Sequence, residues 1–151
     1  MKNLDEILAS QKFHPSIEKR MLDAQAEAPP DENPKCQEAA ENGRRLAAGV
    51  LKAMDEARLD ALVYPSWNNP PRLIGDLNTP HGNNSPRLSP PTGFPAMTVP
   101  MGFVRGNLPA GLQILGRPWS EPVLIQIGYA YEQATRHRHP PASTPPVAGA
   151  M

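Results

Sequence analysis

The chain has 151 residues, the length of one ordinary domain, and its 15 basic and 15 acidic side chains cancel. A balanced charge gives no pull toward nucleic acid or an anionic membrane. No apolar run approaches the ~20 residues of a membrane helix, and the start MKNLDEILAS has no secretory apolar core. The single cysteine, Cys36, excludes an internal disulfide and leaves too few thiolates for a zinc site, so a reducing, cytoplasmic location is expected.

Proline occurs 20 times, well above the usual ~5%. Leu, Ile, Val and Phe together number only 29, so the core material is lean. The two features are unevenly spread. Residues 1–60 carry 21 of the 30 charges and four prolines, whereas residues 61–151 carry nine charges and 16 prolines. The first stretch reads as helices and the second as short strands joined by stiff loops. The expected organisation is one domain over 1–141, helical to residue 58 and strand-bearing from 59, with a disordered tail over 142–151.

Asn3, with Glu6 three residues later, forms a capping pair that opens a short helix through Ile7 and Leu8. His14-Pro15 ends it, because the residue before proline avoids the helical region. A second helix is expected from Ser16 towards Ala28, closed by Pro29-Pro30. The clearest helix starts with Asn33 as cap and Pro34 in the first turn, where a missing N–H costs nothing. Ala39, Ala40, Leu46, Ala47, Val50, Leu51, Met54 and Ala57 follow at spacings of three and four, a stripe meant for packing on a sheet or another helix.

Asp60–Pro65 is a short apolar run of the kind covered on both faces. Residues 66–95 are loop material rich in Pro, Asn and Gly, and so long a loop in a compact domain is functional or is completed by something else. Two further strands are expected over 96–101 and 110–115, with a turn at Gly106-Asn107. Ser120 caps a last helix whose apolar face carries Leu124, Ile127, Tyr131 and Ala134.

No complete catalytic set is visible. None of the seven serines adjoins a glycine, so there is no nucleophile elbow. Ser66 or Ser85 with His81 and Asp76 makes a triad on paper only, since all lie on one polar loop without rigid support. His137 and His139 lack a carboxylate or thiolate beside them, and Arg136–Arg138 suit the negative end of a helix better than a metal. Trp67 and Trp119 stand at loop signals, as cleft-lining residues or as buried loop anchors.

Three linked segments nevertheless resemble one family. Leu59-Asp60-Ala61-Leu62-Val63-Tyr64-Pro65 is the first, Leu88-Ser89-Pro90-Pro91-Thr92-Gly93-Phe94-Pro95 continuing to Phe103 the second, and Leu108-Pro109-Ala110-Gly111-Leu112-Gln113-Ile114-Leu115-Gly116-Arg117-Pro118 the third. In order and spacing they are similar to the C-terminal end of the amidase signature family. The resemblance implies an α/β fold, part of a mixed sheet with covering helices. It also implies hydrolysis of the C–N bond of carboxylic amides, without metal or cofactor, by a serine activated through a second serine and a lysine. Those residues lie in a Gly/Ser-rich stretch with no counterpart here, so no catalytic residue is assigned. The segment before the S-P-P-T-G-F-P run, His81–Ser85, would wall a substrate cleft. Trp67, Asn83 and Asn84 are the candidate cleft residues, although Asn83 and Asn84 serve equally as turn residues.

The expectation is therefore an amidase-family hydrolase represented by its C-terminal portion, inactive alone, whose partner is a small amide once an N-terminal part completes the site. The alternatives are a non-catalytic interaction or regulatory module derived from an amidase, and an independent hydrolase using Ser66 or Ser85. Uncovered strands would make the isolated chain prone to self-association.

Overall fold

The computed structural model describes residues 2–80, 82–140 and 143. The tail expected over 142–151 thus lies, Ser143 apart, outside the described residues, as does His81. The chain forms two compact units, residues 1–42 and 43–151.

In the first unit, helix α1 (Leu4–Ser10) starts where the Asn3 side chain accepts the Glu6 N–H at 2.9 Å. The Glu6 carboxylate reaches back to the Lys2 N–H rather than to Asn3. The helix stops at Gln11, in the left-handed region, before His14-Pro15 is reached. A 3₁₀ turn (Pro15–Ile17) then leads into α2 (Glu18–Ala26), whose Gln25 donates to Asp5 of α1. Helix α3 (Pro34–Glu56) begins at the expected cap, Asn33 Oδ1 accepting the Lys35 N–H at 3.0 Å.

In the second unit the C-terminal part of α3 buries Gly43 and Met54, while Leu46 stays partly exposed. A Cβ at Gly43 would collide with the carbonyl oxygen of Pro91, so only glycine permits this approach between backbones. Arg117 ties the end of α3 to the sheet: its Nη1 pairs with Asp55, and Nε and Nη2 donate to the Leu59 carbonyl at 3.0 and 2.9 Å.

The sheet has three strands, β1 (Ala61–Pro65), β2 (Ala96–Val104) and β3 (Leu108–Gly116), in the order β1-β3-β2. The α/β fold with helix cover is the one expected. The described strands, however, pair only antiparallel, Ala61 opposite Gly116 and Ala96 opposite Leu115, so the parallel part of a mixed sheet has no strand among them. β3, buried from Gln113 to Gly116, takes the centre; Pro65 and Pro100, which lack an N–H to donate, sit on the edge strands, and Pro109 lies in the part of β3 that β1 does not reach.

The hairpin is longer than the sequence suggests. A register irregularity between Pro100 and Gly102, with Gly102 at φ 122°, absorbs the misfit. The strand then runs on to Val104 opposite Leu108, and Arg105-Gly106-Asn107 turn the chain, Arg105 and Gly106 at φ 49° and 87°. Helix α5 (Glu121–Thr135) packs Leu124, Ile127 and Tyr131 on Val99, Ile114, Met97 and Leu112. Ser120 precedes α5 as expected, but its hydroxyl donates to the Arg117 carbonyl at 2.7 Å instead of capping the helix. The other correction is at 89–92: read as loop, Ser89–Thr92 forms a helical turn, α4. Thr92 Oγ1 donates to the Leu88 carbonyl at 2.6 Å, and Gly93 ends the turn at φ 72°. No helix among the described residues is long and apolar enough to cross a membrane.

Candidate functional site

The long loop is stitched to the sheet by its own backbone. Ser66 N–H donates to the Gly111 carbonyl at 2.8 Å, extending the β1–β3 ladder. Asn68 N–H donates to Gly82 at 2.8 Å and Asn84 N–H to Ser66 at 2.9 Å, which places Trp67 opposite Asn83 as an isolated bridge. The loop therefore leaves β1, turns outward and returns alongside its own beginning.

Asn84 is buried, and its side chain is fully committed. Its Nδ2 donates to the Pro65 carbonyl (3.0 Å) and to Asn68 Oδ1 (2.6 Å), while its Oδ1 accepts from Arg87 Nε (3.2 Å). Asn83 Oδ1 accepts from the Ser85 N–H (3.0 Å) and hydroxyl (2.6 Å). Both amides thus hold the loop's own geometry, as turn asparagines do. Trp67 differs. It is 49% exposed, and Trp119 90%, so neither is a buried loop anchor.

Trp67 lines a cleft of about 520 Å³ between the loop and the turn end of the hairpin. The loop contributes Trp67, Pro70 and Pro71, and the hairpin Met101, Val104 and Arg105. This volume is in the range of sites for small organic ligands. The polar side chains Asn68 and Asn69 also reach it, but Asn68 Oδ1 serves Asn84 and Asn69 Nδ2 donates to the Pro80 carbonyl at 2.9 Å. Among the described residues, Arg105 is the one charged side chain of the lining.

Sequence reasoning missed the polar row beneath this loop. In register across the sheet stand Tyr64, Gln113 and Thr98. Gln113 is buried; its Nε2 donates to the Ser85 carbonyl at 3.3 Å, and its Oε1 has no partner among the described residues. The Tyr64 hydroxyl is likewise buried without a partner, and burial raises its pKa above the ordinary tyrosine value. The signal was available: Gln113 is the only polar side chain in the run Ala110–Leu115.

Of the paper triad, His81 lies outside the described residues, and the other members are engaged locally. Asp76 turns back on its own loop, accepting the N–H of Asn78 (2.9 Å) and Thr79 (3.0 Å). These bonds, the Thr79 side chain first, hold its carboxyl below the usual range. Ser85 donates to Asn83, and Ser66 Oγ stands 3.4 Å from Thr98 Oγ1. No group of metal-ligating side chains occurs among the described residues. His137 lies against the Tyr131 ring at 6.3 Å and His139 against Phe103 at 5.9 Å.

An α/β unit whose loop and hairpin enclose such a cleft has recognisable relatives. The family model described as Amidase matches residues 2–125, and the chain belongs to that family. It is similar to the A subunit of the glutamyl-tRNA(Gln) amidotransferase of Desulforudis audaxviator, 50% identical over 54 residues, which are 35% of this chain and 11% of that protein. The corresponding amidotransferase subunit from Bacillus cereus is 35% identical over 94 residues, 58% of this chain and 19% of that protein. Among solved structures, the native peptide amidase of Stenotrophomonas maltophilia superposes with a TM-score of 0.71 at 34% identity, over 93% of this chain and 29% of that one. The chain therefore spans under a third of the length of the relatives it matches.

Proposed function

We propose that these 151 residues are the part of an amidase-family hydrolase that supports the reacting centre and walls its substrate cleft, the substrate being a small carboxylic amide. The observation that carries this reading is the superposition on a peptide amidase over nearly the whole chain, in a sequence without any serine beside a glycine. A serine hydroxyl attacks an amide only when a neighbouring base takes its proton. Ser66 faces Thr98 and Ser85 faces Asn83, so neither has such a base among the described residues. The nucleophile and its base then come from sequence beyond these residues, and the reaction calls for no cofactor. The named relatives are an amidase and amidotransferase subunits, which does not favour a non-catalytic module.

Within this reading the cleft residues divide their work. Trp67 presents an apolar face to the substrate, Asn84 pins the loop to the end of β1, and Asn83 shapes the turn that follows. The whole enzyme works in the cytoplasm, in keeping with the unpaired state of Cys36, the one cysteine of these 151 residues. The test is ammonia release from simple aliphatic and aromatic amides by the purified chain, alone and co-expressed with the N-terminal part of a related amidase. Activity is expected only in the combination. Turnover by the chain alone that disappears in Ser66→Ala or Ser85→Ala would overturn the proposal.

A further inference from the structure

Among the described residues, the cleft at Trp67 is walled mainly by apolar side chains and carries charge of one sign. Its walls are the Trp67 indole, the rings of Pro70 and Pro71, and Met101 and Val104 of the hairpin, all without a hydrogen-bonding group on the side chain save the indole N–H. The asparagines that reach it spend their polar atoms on the loop. Arg105 remains. It sits in the hairpin turn and has no hydrogen-bond or ion-pair partner among the described residues. A flat apolar wall with an unpaired guanidinium beside it complements a compact apolar group that carries a carboxylate. The ring stacks on tryptophan and proline, and the carboxylate takes the planar fork of the arginine.

We infer that the Trp67–Arg105 cleft is a binding site for small aromatic carboxylates, which no other feature of the chain assigns. The inference rests on the reading of Trp67 as a cleft residue and not on hydrolysis. Proline matters to the argument as well. Pro70 and Pro71 keep their stretch of loop stiff, so little chain entropy is lost when a ligand settles.

The probe is 3-phenylpropionate, with 3-phenylpropanol as its uncharged counterpart. Binding is read as the change in Trp67 fluorescence in a Trp119→Phe background, which leaves one tryptophan and alters only an exposed side chain. The acid is expected to give a saturable change with half-saturation on the order of 1 mM, and the alcohol to bind about threefold to fivefold more weakly, the scale of an exposed ion pair. Arg105→Gln, on an exposed turn, is expected to remove that difference and leave alcohol binding unchanged. Trp67→Ala, followed by calorimetry, is expected to abolish binding of both. No saturable change, equal binding of acid and alcohol, or indifference to Arg105→Gln would each overturn the inference. So would a signal that depends on chain concentration without added acid, which would mean that a second copy fills the cleft. Because ammonia release is measured on the completed enzyme and fluorescence on this chain, failure of either proposal leaves the other standing.

Discussion

The hairpin with α5 and the loop 66–88 belong to the same unit, yet they hold their backbones by different means. In the hairpin, apolar side chains are driven inward: Ile114 and Leu115 are essentially inaccessible, and Val99 and Leu124 are each 3% exposed. In the loop, apolar side chains face outward, with Leu73, Ile74 and Leu77 all more than 80% exposed. Polar bonds hold the loop instead, chiefly the Asn84 amide and the backbone pairs around Trp67. Burial is non-directional and tolerates no cavity, whereas a hydrogen-bonded loop is directional and leaves its apolar surface available to something else. The difference separates a part of the molecule that is finished from a part that presents a surface.

On that division, the largest loss of stability lies in the sheet. Ile114→Ala removes a side chain wedged between Val99 and Leu124 and should cost about 3–4 kcal/mol, read as a lower urea midpoint at unchanged slope. A loss under about 1 kcal/mol would mean that the sheet–helix layer is no true core. The loop should break differently. Asn84→Ala leaves the Pro65 carbonyl and Asn68 without their donor and should cost about 2 kcal/mol. Hydrogen exchange should then accelerate at Ser66 and Asn68 while the amides of β3 keep their protection. Equal acceleration in both regions would erase the distinction.

Tyr64 sharpens the boundary between the two. Its hydroxyl is buried without a partner, so Tyr64→Phe should be neutral or stabilising by up to about 1 kcal/mol. The sign of the pH effect follows from the raised pKa. The folded state retains a proton that the unfolded chain releases at about pH 10, so stability is complete below that pH and falls as the pH rises towards the folded value. Tyr64→Phe should flatten this alkaline loss in a series of melts above pH 9. The smallest effect on folding belongs to the outward residues. Replacing Leu73 and Ile74 by serine should change stability by no more than about 0.5 kcal/mol. The same replacement should reduce self-association in sedimentation velocity. A destabilised monomer would show that these side chains are packed after all.

The sequence made the regular elements legible wherever a local rule applied. Asn3 and Asn33 cap their helices, Pro34 opens α3, and the apolar runs at 61–65, 96–101 and 110–115 all lie in strands. The boundaries failed where two local rules competed. Gly102-Phe103-Val104 read as turn material because glycine and polar neighbours suggest it, but a bulge lets the edge strand continue. Ser89–Thr92 read as loop because of its two prolines, although prolines in a first turn are compatible with a helix. Of the residues lining the cleft between loop and hairpin, the sequence pattern singles out Trp67 alone. Pro70 lies far in sequence from Met101 and Arg105, and the fold-back of the loop onto the hairpin brings them together.

By itself the sequence determined most of the elements, the family and the absence of any serine beside a glycine, because capping, periodicity and motif order are properties of neighbouring residues. Only the tertiary structure decided what the polar residues of the loop do. Asn84 and Asn83 have the same side chain and adjacent positions, yet one is sealed against Pro65 and Asn68 while the other turns its amide oxygen to Ser85. Hydrogen-bond partners are chosen by geometry across the fold, and an amide carries no mark in the sequence of which partner it will meet.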